Sequence, residues 1–439
     1  MLFLLLACEQ PKTPTSPRVS DAESELFPTI YASLSEKVPT LIVVEAQTRM
    51  GLATQVRYAI DNGEELLTPI STGINHRFVL GGIPENSEVT AIIETPEGNS
   101  GEISITTGQL SYQPLSSMTI ESELNGFILT TVRGDTPGIA IWNGAGELVW
   151  SLPQPEGRRE TLQTHYLDGQ IFRNFMDLQL HQEIGQIEVM DIEAKVEGTI
   201  ELPLHHHAFT PIGPSQVAAL AIDVQETDEF GPVVGDKVMV ADVGGSQFPL
   251  FSVWDHFQVA ETPRFNQPFY SQGKDWTHAS GIATKTGGGF TLTLMGLGAI
   301  VDIDSNGLVQ RVFSDSGLPE CTHPIDSPKL VRPHGANWAG EELLVFHSPN
   351  LESRGARLDV QHSSAEWNSE ILNPGIHALA LGDIQDISTE TEHATMINFG
   401  SAGQLAFYSD QGTQIWLMET YLGSFFSSAH WMPSFSTAR

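Results

Sequence analysis

The chain has 439 residues, with 54 acidic against 21 basic side chains and a formal net charge of -33. A field of that sign repels nucleic acid and anionic membrane surfaces, and any anionic substrate would need a local cluster of donors to overcome it. The 40 glycines and 26 prolines, a charged fraction of only 17%, and the lack of any long amphipathic helical pattern exclude a helical bundle and read as many short strands joined by turns.

The chain opens on "MLFLLLAC", an apolar run that ends at Ala7 before Cys8. It looks like the end of a bacterial lipoprotein signal, with residues 1–7 as the signal remnant and Cys8 as the lipidation site. The run is short and carries no basic residues, so an ordinary signal or a truncated start is the alternative. The polar, proline-rich residues 8–30 suit a tether. This predicts a periplasmic or cell-surface protein that touches the membrane only through a lipid anchor. No other apolar run is long enough to span a bilayer. A lipidated Cys8 leaves Cys321 without a disulfide partner.

Residues 31–109 alternate between strand-like runs ("TLIVVEAQT", "ATQVRYAID", "HRFVLGGI", "EVTAIIET", "GEISITTG") and turns such as "DNGEE" and "PEGNSG". The pattern predicts a small β-sandwich of fibronectin or immunoglobulin type. His76 reads there as a surface or strand histidine.

Residues 110–439 are repetitive. Strand–turn–strand units occur at 139–150, 187–202, 238–254, 299–313, 356–372 and 405–416, and each follows a further apolar strand. Six such units, with four strands each, predict a six-bladed β-propeller, so the chain is all-β. Within the fourth, "DIDSNG" (302–307) mimics half a calcium loop. Phe313 occupies the position of the closing acid, and "SNG" falls on the repeat's hairpin turn, so the turn reading stands.

The repeats align three histidines, His207, His278 and His334, at the start of an inner strand. Equivalent positions of a propeller face one axial channel, so the three imidazoles are expected to converge. His205 and His206 complete a triplet with His207, but side chains alternate along a strand and no carboxylate or cysteine recurs to finish a coordination shell. No metal and no cofactor is therefore expected, with a three-imidazole metal site as the minority reading. His165, His256, His347, His377 and His430 have no matched partners and read as structural, with His256 placed nearest the channel entrance.

"DWTHASGI" (275–282), "HHAFTPIG" (206–213), "RPHGANWAGEELLVF" (332–346), "SRGARLDV" (353–360) and "GDIQDIS" followed by "INFGSAG" (382–403) resemble the bacterial arylsulfate sulfotransferases that work without a phosphoadenosine donor. The likeness covers roughly residues 110–420. It implies a small N-terminal β-domain ahead of a six-bladed propeller. It also implies ping-pong transfer of a sulfuryl group between small aryl sulfate and phenol substrates through a transiently sulfated histidine. His334 maps to the nucleophile and His207 and His278 to supporting imidazoles. His206, Ser280 and Arg354 map to the sulfate contacts, and Trp276 and Trp338 offer apolar walls for the ring. The chain departs from the family at Ser280, where the family has Asn, and at Leu294 and Met295, where it has a Ser-Arg pair. Arg332, Arg354 and Arg357 are the candidate replacements for that arginine. Two other readings remain: a non-catalytic propeller that binds a ligand or partner in its channel, and a metal-dependent propeller lyase or hydrolase.

Overall fold

The computed structural model describes residues 26–115, 118–121, 125–157, 160–176, 185–259, 270–315, 317–325, 330–349, 352–360, 365–372, 376–387, 394–420 and 423–438. Cys8, the signal remnant and most of the tether lie outside the described residues. Those described form strands and short 3-10 turns, without an α-helix. Among the described residues no helix is long and apolar enough to cross a membrane. The chain divides into two compact units, residues up to Gln109 together with the end from Ser436, and Leu110–Phe435.

The first unit is organised by one long strand, Ile42–Ile60. Its first part pairs with Thr29–Leu34 and Ser71–Leu80, its second with Glu65–Leu67 and Glu88–Thr95. All eight strands belong to one paired network. Val44, Ala46, Val56 and Tyr58 are buried, whereas Glu45 and Gln47 are exposed, the two-residue alternation of a sheet with one dry face. Thr437–Ala438 pairs with Ser71–Leu80, so the chain terminus joins this unit and not the propeller. His76 is a buried strand residue, its Nε2 3.2 Å from both Thr48 and Thr54 and its Nδ1 3.0 Å from Ser71 Oγ.

The second unit is a six-bladed β-propeller. Blade 1 contains Phe127–Gly134, Gly138–Asn143 and Leu148–Pro153; blade 2 runs from Thr164–Leu167 to Val196–Glu201. Blade 3 runs from His205–Gly213 to Gln247–Ser252, and blade 4 from Ala279–Thr284 to Val309–Ser314. Blade 5 runs from Gly335–Ala339 to Ala365–Leu372, and blade 6 from Asp383–Asp386 to Gln414–Thr420. The late strand Ser424–Met432 supplies the inner strand of blade 1, and Met118–Glu121 adds to the outer edge of blade 6. The inner strands touch their neighbours in a closed cycle. Chain ends from opposite extremes of the unit thus lock the ring.

Each blade is packed on both faces, which explains why the second strands read as unbroken apolar runs. Val217–Ile222 is wholly buried. Phe172 and Ile200 of blade 2 meet Phe209 and Val217 of blade 3, and Phe407 and Trp416 of blade 6 meet Trp142 and Phe426 of blade 1. Between blades 1 and 2, Trp150 Nε1 donates to Ile192 O at 2.7 Å.

The repeated turn has one local chemistry. Oδ1 of Asn143, Asp191, Asp242 and Asp304 accepts the backbone N–H four residues on, and Ser409 does the same through its hydroxyl. The fourth residue of each turn (Gly146, Ala194, Gly245, Gly307, Gly412) has a positive φ, and the partner strand bulges. "DIDSNG" is this hairpin.

Candidate active site

His207, His278 and His334 sit where the inner strands of blades 3, 4 and 5 begin, and neighbouring blades make those positions meet. The ring centroids are 4.9 Å apart for His207 and His278, and 6.4 Å for His207 and His334. His207 and His278 have φ values of 50° and 43°, a left-handed backbone that a non-glycine residue adopts at some cost and that recurs at functional positions.

Strict alternation fails in the triplet. Pairing of the inner strand with Gln216–Thr227 jumps from His205↔Ala221 to Phe209↔Ala219, leaving three residues opposite one. The bulge sets the rings of His206 and His207 side by side, with their Nδ1 atoms 2.9 Å apart. His205 is turned into the sheet, its Nδ1 2.9 Å from Leu220 O.

Each of the three converging imidazoles has a partner behind it. His278 Nδ1 lies 2.5 Å from Asp275 Oδ2. His334 Nδ1 donates to Gly382 O at 3.0 Å, which fixes the tautomer and leaves Nε2 with its lone pair. Behind His207 stands His206, whose Nε2 is 2.9 Å from Asp236 Oδ1, though off the line of a hydrogen bond. Asp236 Oδ2 accepts from Thr277 Oγ1 at 2.5 Å and Ala279 N at 2.6 Å. The Tyr270 hydroxyl lies 3.2 Å from His206 Nδ1 and 3.5 Å from His207 Nδ1.

Burial dominates the electrostatics. It pushes His207 well below the usual imidazole range, with His278, His206 and His334 adding to the effect, so His207 is neutral near pH 7. Burial likewise lowers His334 to about 4, against the opposing Gly382 carbonyl. Burial alone would raise Asp236, but His206, Thr277 and the Ala279 N–H outweigh it and hold the carboxyl low. Tyr270 is pushed far up by burial, then by Asp236 and Asp275. Asp383 is raised by burial to about 6.

His207 and His334 open on an axial cavity of about 240 Å³ whose lining also includes Ser280, Asn337 and Asp383, whereas His278, beside His207, is not part of that lining. Ser280 Oγ donates to Pro333 O at 3.2 Å. His206 is fully buried behind His207. The structure does not bring Trp276 or Arg354 to the cavity. Trp276 packs 4.8 Å from Trp254 in the core between blades 3 and 4. Arg354 lies on the third strand of blade 5, a strand removed from the axis, and pairs with Glu352 at 2.8 Å. Arg357 is held by Glu342 and Asp410, and Arg332 is exposed, donating to Leu379 O at 3.4 Å. Among the described residues no lysine or arginine lines this cavity. Trp338 lines a separate pocket with Lys285 and Arg311. His256 stacks on Phe251, 5.2 Å between centroids, and does not line the cavity. Among the described residues no three His, Cys, Asp or Glu side chains are set to hold a metal ion.

Two histidines read as structural do line the channel: His165, on the inner strand of blade 2, and His430, on that of blade 1. His165 precedes "DGQIFRNF" as the aligned histidines precede their own second strands, so completing the alignment would have found it. His430 carries no such signal, because blade 1 takes its inner strand from the far end of the chain. Tyr270, Asp236 and Asp383 were also missed; nothing local in the sequence ties them to the histidines.

The sequence matches no protein-family model and no curated protein. Similar solved structures include a streptogramin B lyase, at 11% identity and a TM-score of 0.39 over 71% of this chain and 89% of that one. The periplasmic gluconolactonase of Pseudomonas aeruginosa gives 9% and 0.40 over 70% and 83%. A quinonprotein alcohol dehydrogenase-like protein of Bacteroides thetaiotaomicron gives 10% and 0.38 over 92% and 95%. Likeness at this level assigns no activity to the chain.

Proposed function

We propose that the channel transfers a sulfuryl group from an aryl sulfate to a phenol through His334. The observation that carries this reading is the state of His334, a neutral imidazole whose Nδ1–H is anchored on Gly382 O and whose Nε2 is left as a lone pair beside two further imidazoles. In the first step Nε2 attacks sulfur, an N–S bond forms, the S–O bond to the aryl group breaks, and the phenolate leaves. His278, paired with Asp275, gives the phenolate its proton. In the second step neutral His278 takes the proton of the acceptor phenol, its oxygen attacks sulfur, the N–S bond breaks, and His334 is restored. A cavity of about 240 Å³ is small for a ligand site and suits one aryl group at a time, as a two-step route requires. The Ser280 hydroxyl, which donates to Pro333 O in this structure, would turn towards the sulfate oxygens when substrate binds.

A second reading is favoured by the lack of a lining cation among the described residues and the presence of Asp383, which disfavour an anionic substrate. In it, the Asp275–His278 pair acts as a general base on a neutral substrate, in a lyase or hydrolase. Incubation with 4-nitrophenyl sulfate and phenol separates the two. A stoichiometric burst of nitrophenol followed by phenol-dependent turnover, both lost in His334→Ala, supports sulfuryl transfer. Unchanged turnover in that variant rules out this mechanism. We also propose, from "MLFLLLAC", that Cys8 anchors the protein at a periplasmic or cell-surface membrane face, which radiolabelled palmitate incorporation and its loss in Cys8→Ser would test.

A further inference from the structure

The pocket between blades 4 and 5 that Trp338 shares with Lys285 and Arg311 has a volume of about 550 Å³, within the range of small-molecule sites. It lies at the ends of two inner strands away from their histidines. His278 precedes Ala279–Thr284 and Lys285 follows it, while His334 precedes Gly335–Ala339, whose Trp338 reaches the pocket. The axial cavity and this pocket therefore occupy opposite ends of the same two strands.

Its two cations converge on one carboxylate. Asp302 is fully buried, and its Oδ2 accepts from Lys285 Nζ at 2.8 Å and from Arg311 Nε and Nη2 at 2.9 and 2.7 Å. Its Oδ1 accepts from Thr291 Oγ1 at 2.7 Å and Trp338 Nε1 at 3.3 Å. Two positive charges thus share a single negative one that is already saturated. Neither cation makes another hydrogen bond or ion pair among the described residues, so Arg311 keeps Nη1, and Lys285 two of its three N–H groups, for a ligand. The aromatic rings fix both in place: the Arg311 guanidinium carbon is 4.4 Å from the Trp338 ring centroid and 5.5 Å from that of Phe313, and Lys285 Nζ is 5.7 Å from Trp338. Donors held before the ligand arrives cost little ordering entropy on binding.

The class of ligand follows from charge and walls. Glu341 also lines the pocket, but it is exposed, where solvent and salt screen it, and it pairs with neither cation. Burial, then Arg311, lowers His323, which is neutral near pH 7 and adds no charge. One uncompensated positive charge on the buried side matches a monoanion, whereas a dianion would bring more charge than the site offsets. Trp338 and Val360 give it an apolar flank for a short hydrocarbon body.

We propose that Lys285, Arg311 and Trp338 form a binding site for a small aliphatic monocarboxylate, separate from the axial channel and independent of the reaction carried out there. The chain's overall charge of -33 repels anions, and this pair is a local cluster of donors able to overcome that field.

The test is titration of butanoate into the full chain at constant ionic strength, followed by calorimetry and by the indole N–H signal of Trp338, assigned through its loss in Trp338→Phe. Saturable binding that shifts this signal is expected. Lys285→Gln and Arg311→Gln each remove one cation and leave the other on Asp302, and each should weaken binding by about tenfold or more. Either variant suffices if the other does not fold. 1-Butanol should not saturate the site, inorganic phosphate should bind more weakly than butanoate, and His334→Ala should bind butanoate as the parent does. Absent binding to the parent chain, or parent-like affinity in both cation variants, overturns the site. Butanol or phosphate binding as tightly as butanoate overturns the ligand class, and loss of binding in His334→Ala overturns its separation from the channel.

Discussion

Asp275 and His278 lie three residues apart on the turn into the inner strand of blade 4, and their Oδ2 and Nδ1 atoms meet at 2.5 Å. The left-handed φ of 43° at His278 accompanies that closure, with Met295 N donating to His278 O at 3.2 Å. The carboxylate fixes the orientation of the His278 ring beside His207.

Asp275→Asn keeps the shape and an acceptor but loses the charge. Turnover with aryl sulfate and phenol should fall by about 10²-fold or more. Unchanged turnover would show that the carboxylate does not act through this histidine.

Tyr270→Phe removes the hydroxyl that reaches His206 and His207. A neutral hydrogen bond contributes about 0.5–1.5 kcal/mol, so a loss of stability of that size is expected. Asp236→Ala leaves His206 facing an empty site and should cost more, on the order of 3–5 kcal/mol. Urea midpoints of the two variants check the order; equal midpoints would mean that Asp236 does not organise the network.

Stability should depend on pH with two opposing signs. His205, His334 and His430 sit at about 4 and His165 at about 3 in the fold, against 6.5 when unfolded. The unfolded chain takes up these protons first, so stability is full above about pH 6.5 and is lost as pH falls towards 4, on the order of 1–3 kcal/mol per histidine. Asp383 runs the other way: raised to about 6 from 3.8, it binds its proton better in the fold, and its contribution is lost as pH rises from about 4 through 6. Denaturation midpoints between pH 4 and 7 should therefore fall more steeply on acidification in Asp383→Asn than in the parent. Parallel curves would place the Asp383 carboxyl in its ordinary range.

Gly307 and Gly245 occupy the same turn position in blades 4 and 3, with φ of 81° and 89°. A Cβ at Gly307 would lie 1.9 Å from Leu250 O, whereas one at Gly245 meets nothing within 4 Å. Gly245→Ala should cost only the backbone strain, about 1 kcal/mol. Gly307→Ala adds a backbone clash and should cost roughly 2–4 kcal/mol in all. Thermal melts of the pair isolate the steric part, and similar shifts would mean that the blade 3–4 contact yields freely.

The sequence alone determined the propeller and the convergence of His207, His278 and His334. Both follow from local pattern repeated: a strand period, an Asx or Ser turn with a left-handed fourth residue, and one histidine position carried through three blades. Ring closure turns equivalence along the chain into proximity in space. Only the tertiary structure decided which remaining side chains reach the axis. Trp276 lies two residues from His278, yet packs between blades, and Arg354 sits on the third strand of its blade, two strands out from the inner one. His430 reaches the channel because Ser424–Met432 closes blade 1 against Phe127–Gly134, a pairing across nearly 300 residues that no local pattern encodes. The bulge at His206 and His207 overrides the alternation of the strand, since its direction is set by Asp236 and Tyr270, which reach the triplet from distant parts of the chain.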